Sequence, residues 1–95
     1  MIRSVIMVDL KPGVTDEQVS ALRDALGAIP FERRRSFALR RDLNLVENSV
    51  DLVLISEFDD VQAYRDWSVD PAHRAVSAQY LRPIAERITR GQVEV

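Results

Sequence analysis

The sequence has no cysteine, one histidine and one lysine. The missing cysteines exclude a disulfide framework, a zinc ribbon, an iron–sulfur cluster and cysteine nucleophily. With His73 as the only imidazole, no multi-histidine metal site can be built within one chain, and neither a metal nor a cofactor is expected. The three glycines are isolated and form no phosphate-cradling loop. No apolar run approaches the length of a membrane span. The opening stretch, Met1 to Lys11, lacks the basic-then-apolar layout of a leader. The expectation is a cytoplasmic chain with no membrane contact. Charge of neither sign dominates. Thirteen basic residues, twelve of them arginine, stand against fifteen acidic ones for a net charge of −2. A general grip on nucleic acid or on an anionic membrane is therefore disfavoured.

What remains is an ordinary globular composition, 46% hydrophobic and 29% charged. Ninety-five residues make one domain, 1–95. Such a chain buries roughly 65% of its unfolded surface, enough for one thin core. Ile2 to Leu10 is β-branched and apolar and reads as a strand. Lys11-Pro12-Gly13 is a turn. Thr15 has the place of a helix N-cap, with Gln18 as its capping-box partner, and Val19, Leu22, Leu26 and Ile29 follow at helical spacing up to Pro30. Arg33 to Leu43 reads as a second strand, with Phe37, Leu39 and Leu43 on one face. Val50 to Phe58 reads as a third, paired with the second as a hairpin. Asp59 and Asp60 cap a helical region from Val61 to about Trp67. Asp70 and Pro71 restart it as N-cap and first helical residue, and helix continues toward Tyr80 or Ile84. Ile88 to Val95 reads as a last strand, with Gly91 as a bulge candidate. The order β-α-β-β-α-β predicts an α+β, ferredoxin-like fold: a four-stranded antiparallel sheet with two helices on one face.

That sheet has two apolar faces. Ile2, Ile6, Val8 and Leu10 point one way in the first strand, and Val5 and Met7 point the other. In the third strand Leu52, Leu54 and Phe58 oppose Val53 and Ile55. Two helices cover only one face. Hiding even ~600 Å2 of the other would be worth on the order of 15 kcal/mol before association costs, at about 25 cal/mol per Å2. The expected partner is a second copy, giving a homodimer packed through the helix-free sheet face.

Few residues carry candidate chemistry. His73 sits three positions after the Asp70 cap, where the positive end of a helix depresses an imidazole pKa and the Asp70 carboxylate opposes it. A neutral imidazole in a pocket accepts a proton from a substrate, although residue type alone favours a packing or hydrogen-bonding histidine at a helix start. Tyr64, Trp67 and Tyr80 have helical spacing, which fits core. Ser4 puts a hydroxyl on the wall formed by Ile6 and Val8, and nothing in sequence sets a base beside it. Asp59-Asp60 is better explained by capping than by a metal. Arg33-Arg34-Arg35 and Arg40-Arg41 could hold an anion but also suit a solvated strand. RNA-recognition modules of this order stack bases on central-strand aromatics, and the first strand here has none.

The opening Ile2-Arg3-Ser4-Val5-Ile6-Met7-Val8-Asp9-Leu10-Lys11-Pro12-Gly13, the segment Arg35 to Leu43, the strand with Ser56-Glu57-Phe58, and above all Asp70-Pro71-Ala72-His73 resemble the stress-responsive dimeric α/β-barrel (Dabb) family over essentially the whole chain. The resemblance implies a homodimer whose two sheets close into a barrel. It also implies a role for His73, which matches the general base of a plant polyketide cyclase of this fold, olivetolic acid cyclase. Trp67 stands where that cyclase has an assisting tyrosine, and Ser4 where the family commonly has histidine. Three functional expectations follow. The first is a small apolar or aromatic ligand in a pocket walled by Ser4, Ile6, Val8, Trp67 and His73. The second is a cofactor-independent cyclase, isomerase or quinol-type monooxygenase with His73 as base. The third is a structural, stress-associated module with no ligand.

Overall fold

The computed structural model describes residues 1–95. The chain runs β1 (Ile2–Leu10), α1 (Asp16–Gly27), β2 (Arg34–Arg41), β3 (Leu52–Phe58), α2 (Val61–Val69), α3 (Pro71–Val76), a π-helical turn (Ser77–Leu81) and β4 (Ala85–Glu94). The strands form one antiparallel sheet in the order β2-β3-β1-β4, the ferredoxin-like topology.

Each helix starts where the sequence places a side-chain cap. The Thr15 hydroxyl accepts from the Gln18 N–H at 3.2 Å, and the Gln18 side chain accepts from the Thr15 N–H at 2.8 Å. Asp60 accepts from the Ala63 N–H at 2.8 Å and Asp70 from the His73 N–H at 3.0 Å. Asp59 does not cap: its two carboxylate oxygens accept from Nε and Nη2 of Arg35 instead.

The core lies between the helices and one sheet face. Val8, Leu39, Leu52 and Phe58 from the strands meet Val19, Leu22 and Leu26 of α1 and Ala63 and Trp67 of α2, all buried. The opposite face carries Val5, Met7, Ala38, Val53, Ile55 and Val93, in adjacent rows fixed by the pairings Val5↔Ile55, Ala38↔Ile55, Met7↔Val53 and Arg3↔Val93. Met7 is 38% exposed, Ile55 39% and Val93 56%.

Four expectations fail locally. Leu43 is not a strand residue: β2 ends at Arg41, the Asp42 carboxylate accepts from the Asn44 N–H at 2.8 Å, and Asn44 turns the chain away at φ 54°. Gly91 is not a bulge; it pairs regularly with Val5. The irregularity falls between Asp9↔Arg87 and Leu10↔Ala85, leaving Glu86 as the extra residue, and Arg35 is the extra residue in β2. The last strand starts at Ala85 rather than Ile88. Finally, the helix after Asp70 does not continue as α. From Ser77 it widens, and the Arg82 N–H reaches the Ser77 carbonyl at 3.0 Å, five residues back. Pro83 then ends the helix. It has no N–H to offer the Gln79 carbonyl, and its ring would crowd that group, so the regular ladder cannot run on.

Candidate functional site

A cavity of about 570 Å3 opens between the sheet and the arm formed by α2, α3 and the π-helical turn. Its floor is sheet: Ser4 and Ile6 of β1, Ser56 and Phe58 of β3, and Arg90 of β4. Its walls are Tyr64, Trp67 and Ser68, then His73 and Arg74, then Ser77, Ala78 and Leu81, with Arg82 just beyond. The volume lies within the usual range of small-molecule sites.

His73 is fixed on two sides. Its ring stacks on the Trp67 indole at 4.3 Å between centroids and 22° between planes. Its Nδ1 lies 2.9 Å from the Trp67 carbonyl oxygen. A carbonyl only accepts, so in the neutral ring Nδ1 carries the hydrogen and Nε2 presents a lone pair. Nε2 has no partner within the chain. Burial pushes the His73 pKa below its ordinary 6.5. The Trp67 carbonyl and the Asp70 carboxylate act upward against this, and Arg34 and Arg90 reinforce the lowering. The imidazole is therefore neutral at pH 7. Burial is the largest cause of the lowering.

Trp67 is held from behind. It meets Phe31 edge-on at 5.3 Å and lies 5.8 Å from Phe58. The Arg34 guanidinium sits 4.7 Å from its centroid and 4.8 Å from that of Phe37. One arm of Arg34 donates to the Leu26 carbonyl at 3.0 Å; its other terminal nitrogen is buried without a partner, and burial lowers its pKa. Guanidinium, indole and imidazole form one continuous stack that ends at the cavity.

Of the five residues expected to wall a pocket, Ser4, Ile6, Trp67 and His73 line this one. Val8 does not. It is fully buried, two positions further along β1, opposite Leu52 and Ile88 in the core. Sharing a strand face gave Val8 the right direction but not the right distance along the strand. Ser56, Arg74, Ser77, Arg82 and Arg90 went unrecognised. For Ser56 a signal existed: it is the residue directly across from Ser4. The π-helical residues had none.

The sequence matches the Stress responsive A/B Barrel Domain family over residues 2–94. The chain belongs to the Dabb family. No curated protein matches it in sequence. Solved structures share the Dabb fold at low identity. A dimeric ferredoxin-like protein of unknown function from Thermobifida fusca is 24% identical, with a TM-score of 0.82 over 99% of this chain and 90% of that one. A Dabb family protein from Mesorhizobium loti is 19% identical, with a TM-score of 0.79 over 99% and 95%. The hydroxynitrile lyase from Passiflora edulis is 14% identical, with a TM-score of 0.85 over 99% and 92%.

Proposed function

We propose that this Dabb chain works as a homodimer that binds a small aromatic or apolar molecule in the cavity beside His73. One observation carries the reading: an imidazole stacked and hydrogen-bonded into a single tautomer faces a cavity of about 570 Å3 instead of packing solid. A purely structural histidine needs no such cavity. The test is calorimetric titration with 2-naphthol. Binding is expected for the parent chain, and loss of binding for Ala78→Trp, which fills the cavity from its exposed rim. Absence of binding to the folded parent, by 2-naphthol and by its carboxylated analogues alike, would end the reading.

A second, catalytic reading is favoured by the lone pair on Nε2. A neutral imidazole so held takes a proton from an acidic C–H or O–H of the bound molecule, becomes imidazolium, and returns the proton after rearrangement. That a hydroxynitrile lyase shares the fold supports chemistry on this scaffold. Deuterium uptake at the α carbon of acetophenone should fall by about 10²–10⁴ in His73→Ala if His73 is the base. Equal uptake would leave a binding protein.

The dimer contact belongs to the helix-free face, where Val5, Met7, Val53 and Ile55 form a contiguous apolar patch. That similar solved structures are dimeric ferredoxin-like proteins supports a dimer, and the apolar patch supports the choice of face. Ile55→Lys should convert a particle of twice the chain mass into one of 10.8 kDa by light scattering. An unchanged dimer would place the contact elsewhere.

A further inference from the structure

The charge of the cavity is one-sided. Arg74, Arg82 and Arg90 line it, and no carboxylate does. In a chain with more acidic than basic residues this is not the default. The ion pairs of the molecule lie elsewhere: Arg3 with Glu57, Arg33 with Asp66, Arg35 with Asp59, Arg41 with Asp16, and Arg87 with Asp9. Arg23, Arg34 and Arg40 donate to backbone carbonyls. Arg74 has one long bond, from Nε to the Ser68 carbonyl at 3.4 Å, while the side chains of Arg82 and Arg90 have no hydrogen-bond or ion-pair partner. The nearest acid to His73 in sequence, Asp70, directs a carboxylate oxygen at the His73 N–H and does not line the cavity.

A second observation is independent of these charges. Ser4 is 97% buried, its Oγ has no hydrogen-bond partner, and it lies on the cavity floor. A buried hydroxyl left unpaired has given up its water partners without replacement, and an oxygen-bearing ligand would restore one. Ile6, Phe58, Trp67 and Leu81 supply the apolar surface between floor and rim.

We infer that the ligand of this cavity is an aromatic carboxylate carrying a second oxygen. Its carboxylate is received by the unpaired guanidinium groups of Arg82 and Arg90 with Arg74 beside them, its ring lies along Trp67, and its second oxygen meets Ser4. Guanidinium groups suit this role because their planar forks match a carboxylate and stay charged at any working pH. The inference rests on the cavity reading above and adds the charge of the ligand to it.

The test compares 6-hydroxy-2-naphthoate with its neutral amide, 6-hydroxy-2-naphthamide, by calorimetry, with 2-naphthol as the uncharged reference. The acid should bind at least about tenfold more tightly than the amide. The preference should shrink as salt rises and collapse in Arg82→Gln/Arg90→Gln, both exposed side chains whose exchange leaves the core intact. Ser4→Ala should weaken 6-hydroxy-2-naphthoate but not 2-naphthoate. Equal affinity for acid and amide, with 2-naphthol still bound, would overturn the inference and leave the cavity reading standing. Failure of all three to bind would remove both.

Discussion

The two helical coverings of the sheet are built differently. α1 lies flush, and Val19, Leu22 and Leu26 are buried against β-strand side chains. The arm after β3 touches down only at intervals. α2 anchors through Ala63 and Trp67, α3 buries none of its six residues, and the π-helical turn returns to the core at Leu81. Between those anchors lies the cavity. Continuous burial makes a wall, and interrupted burial makes a room. Two local features accompany the interruption: the Asp70-Pro71 restart, which splits the arm into two helices, and the wide turn before Pro83, where the regular ladder stops. Interiors close-pack wherever apolar side chains permit, and the residues this segment turns to the cavity, Ser68, His73, Ser77 and Ala78, are polar or small.

This contrast is open to direct attack. The largest effect is expected on the flush side. Leu22→Ala removes a side chain with no exposure, and should cost about 2–5 kcal/mol in urea denaturation. The matching change on the open side, Ala78→Ser, should stay within about 0.5 kcal/mol. Similar costs at both positions would mean that the arm packs as tightly as α1. Next comes the restart. Asp70→Ala removes the cap of α3 and should cost about 1 kcal/mol. It should also lower the His73 pKa further, because the Asp70 carboxylate acts upward on it; an NMR titration of the ring reads this. A rise would show that the Asp70 carboxylate does not act upward on the ring.

The smallest effect concerns protonation. The folded chain holds His73 below the ordinary 6.5, so between the folded value and 6.5 the unfolded chain carries more protons. The native state is therefore favoured fully above about pH 6.5. It loses that advantage as pH falls through this window, and the loss is complete below the folded pKa. Parent minus His73→Asn, compared at pH 7.5 and 5.5, isolates the contribution. A difference of the opposite sign would mean that the folded imidazole is held charged.

The legible part of the fold was the part governed by local chemistry. Thr15 with Gln18, Asp60, and Asp70 with Pro71 each marked a helix start, and period-two patterning separated the two faces of β1 and β3. The rest depended on neighbours remote in sequence. Leu43 continued an apolar period but sits inside the Asx turn from Asp42 to Asn44. Gly91 looked like the bulge because of its residue type, whereas the pairing of β1 with β4 puts the extra residue at Glu86. Within the site, His73 and Trp67 stood out by residue type, and Ser4 as a polar group on an apolar wall. Arg90 reaches the cavity only because β4 pairs with β1 beside Ile6, and Arg82 only because the preceding turn is wide. Neither fact is written in a local pattern.

Trp67 is the single indole of the chain, and it lies flat against His73 at the cavity wall. Its emission therefore reports on one place in the molecule. Protonating the stacked imidazole, or seating a ring against the indole, alters its quenching without any introduced dye. The protein carries its own optical gauge of occupancy, readable at concentrations far below those calorimetry needs.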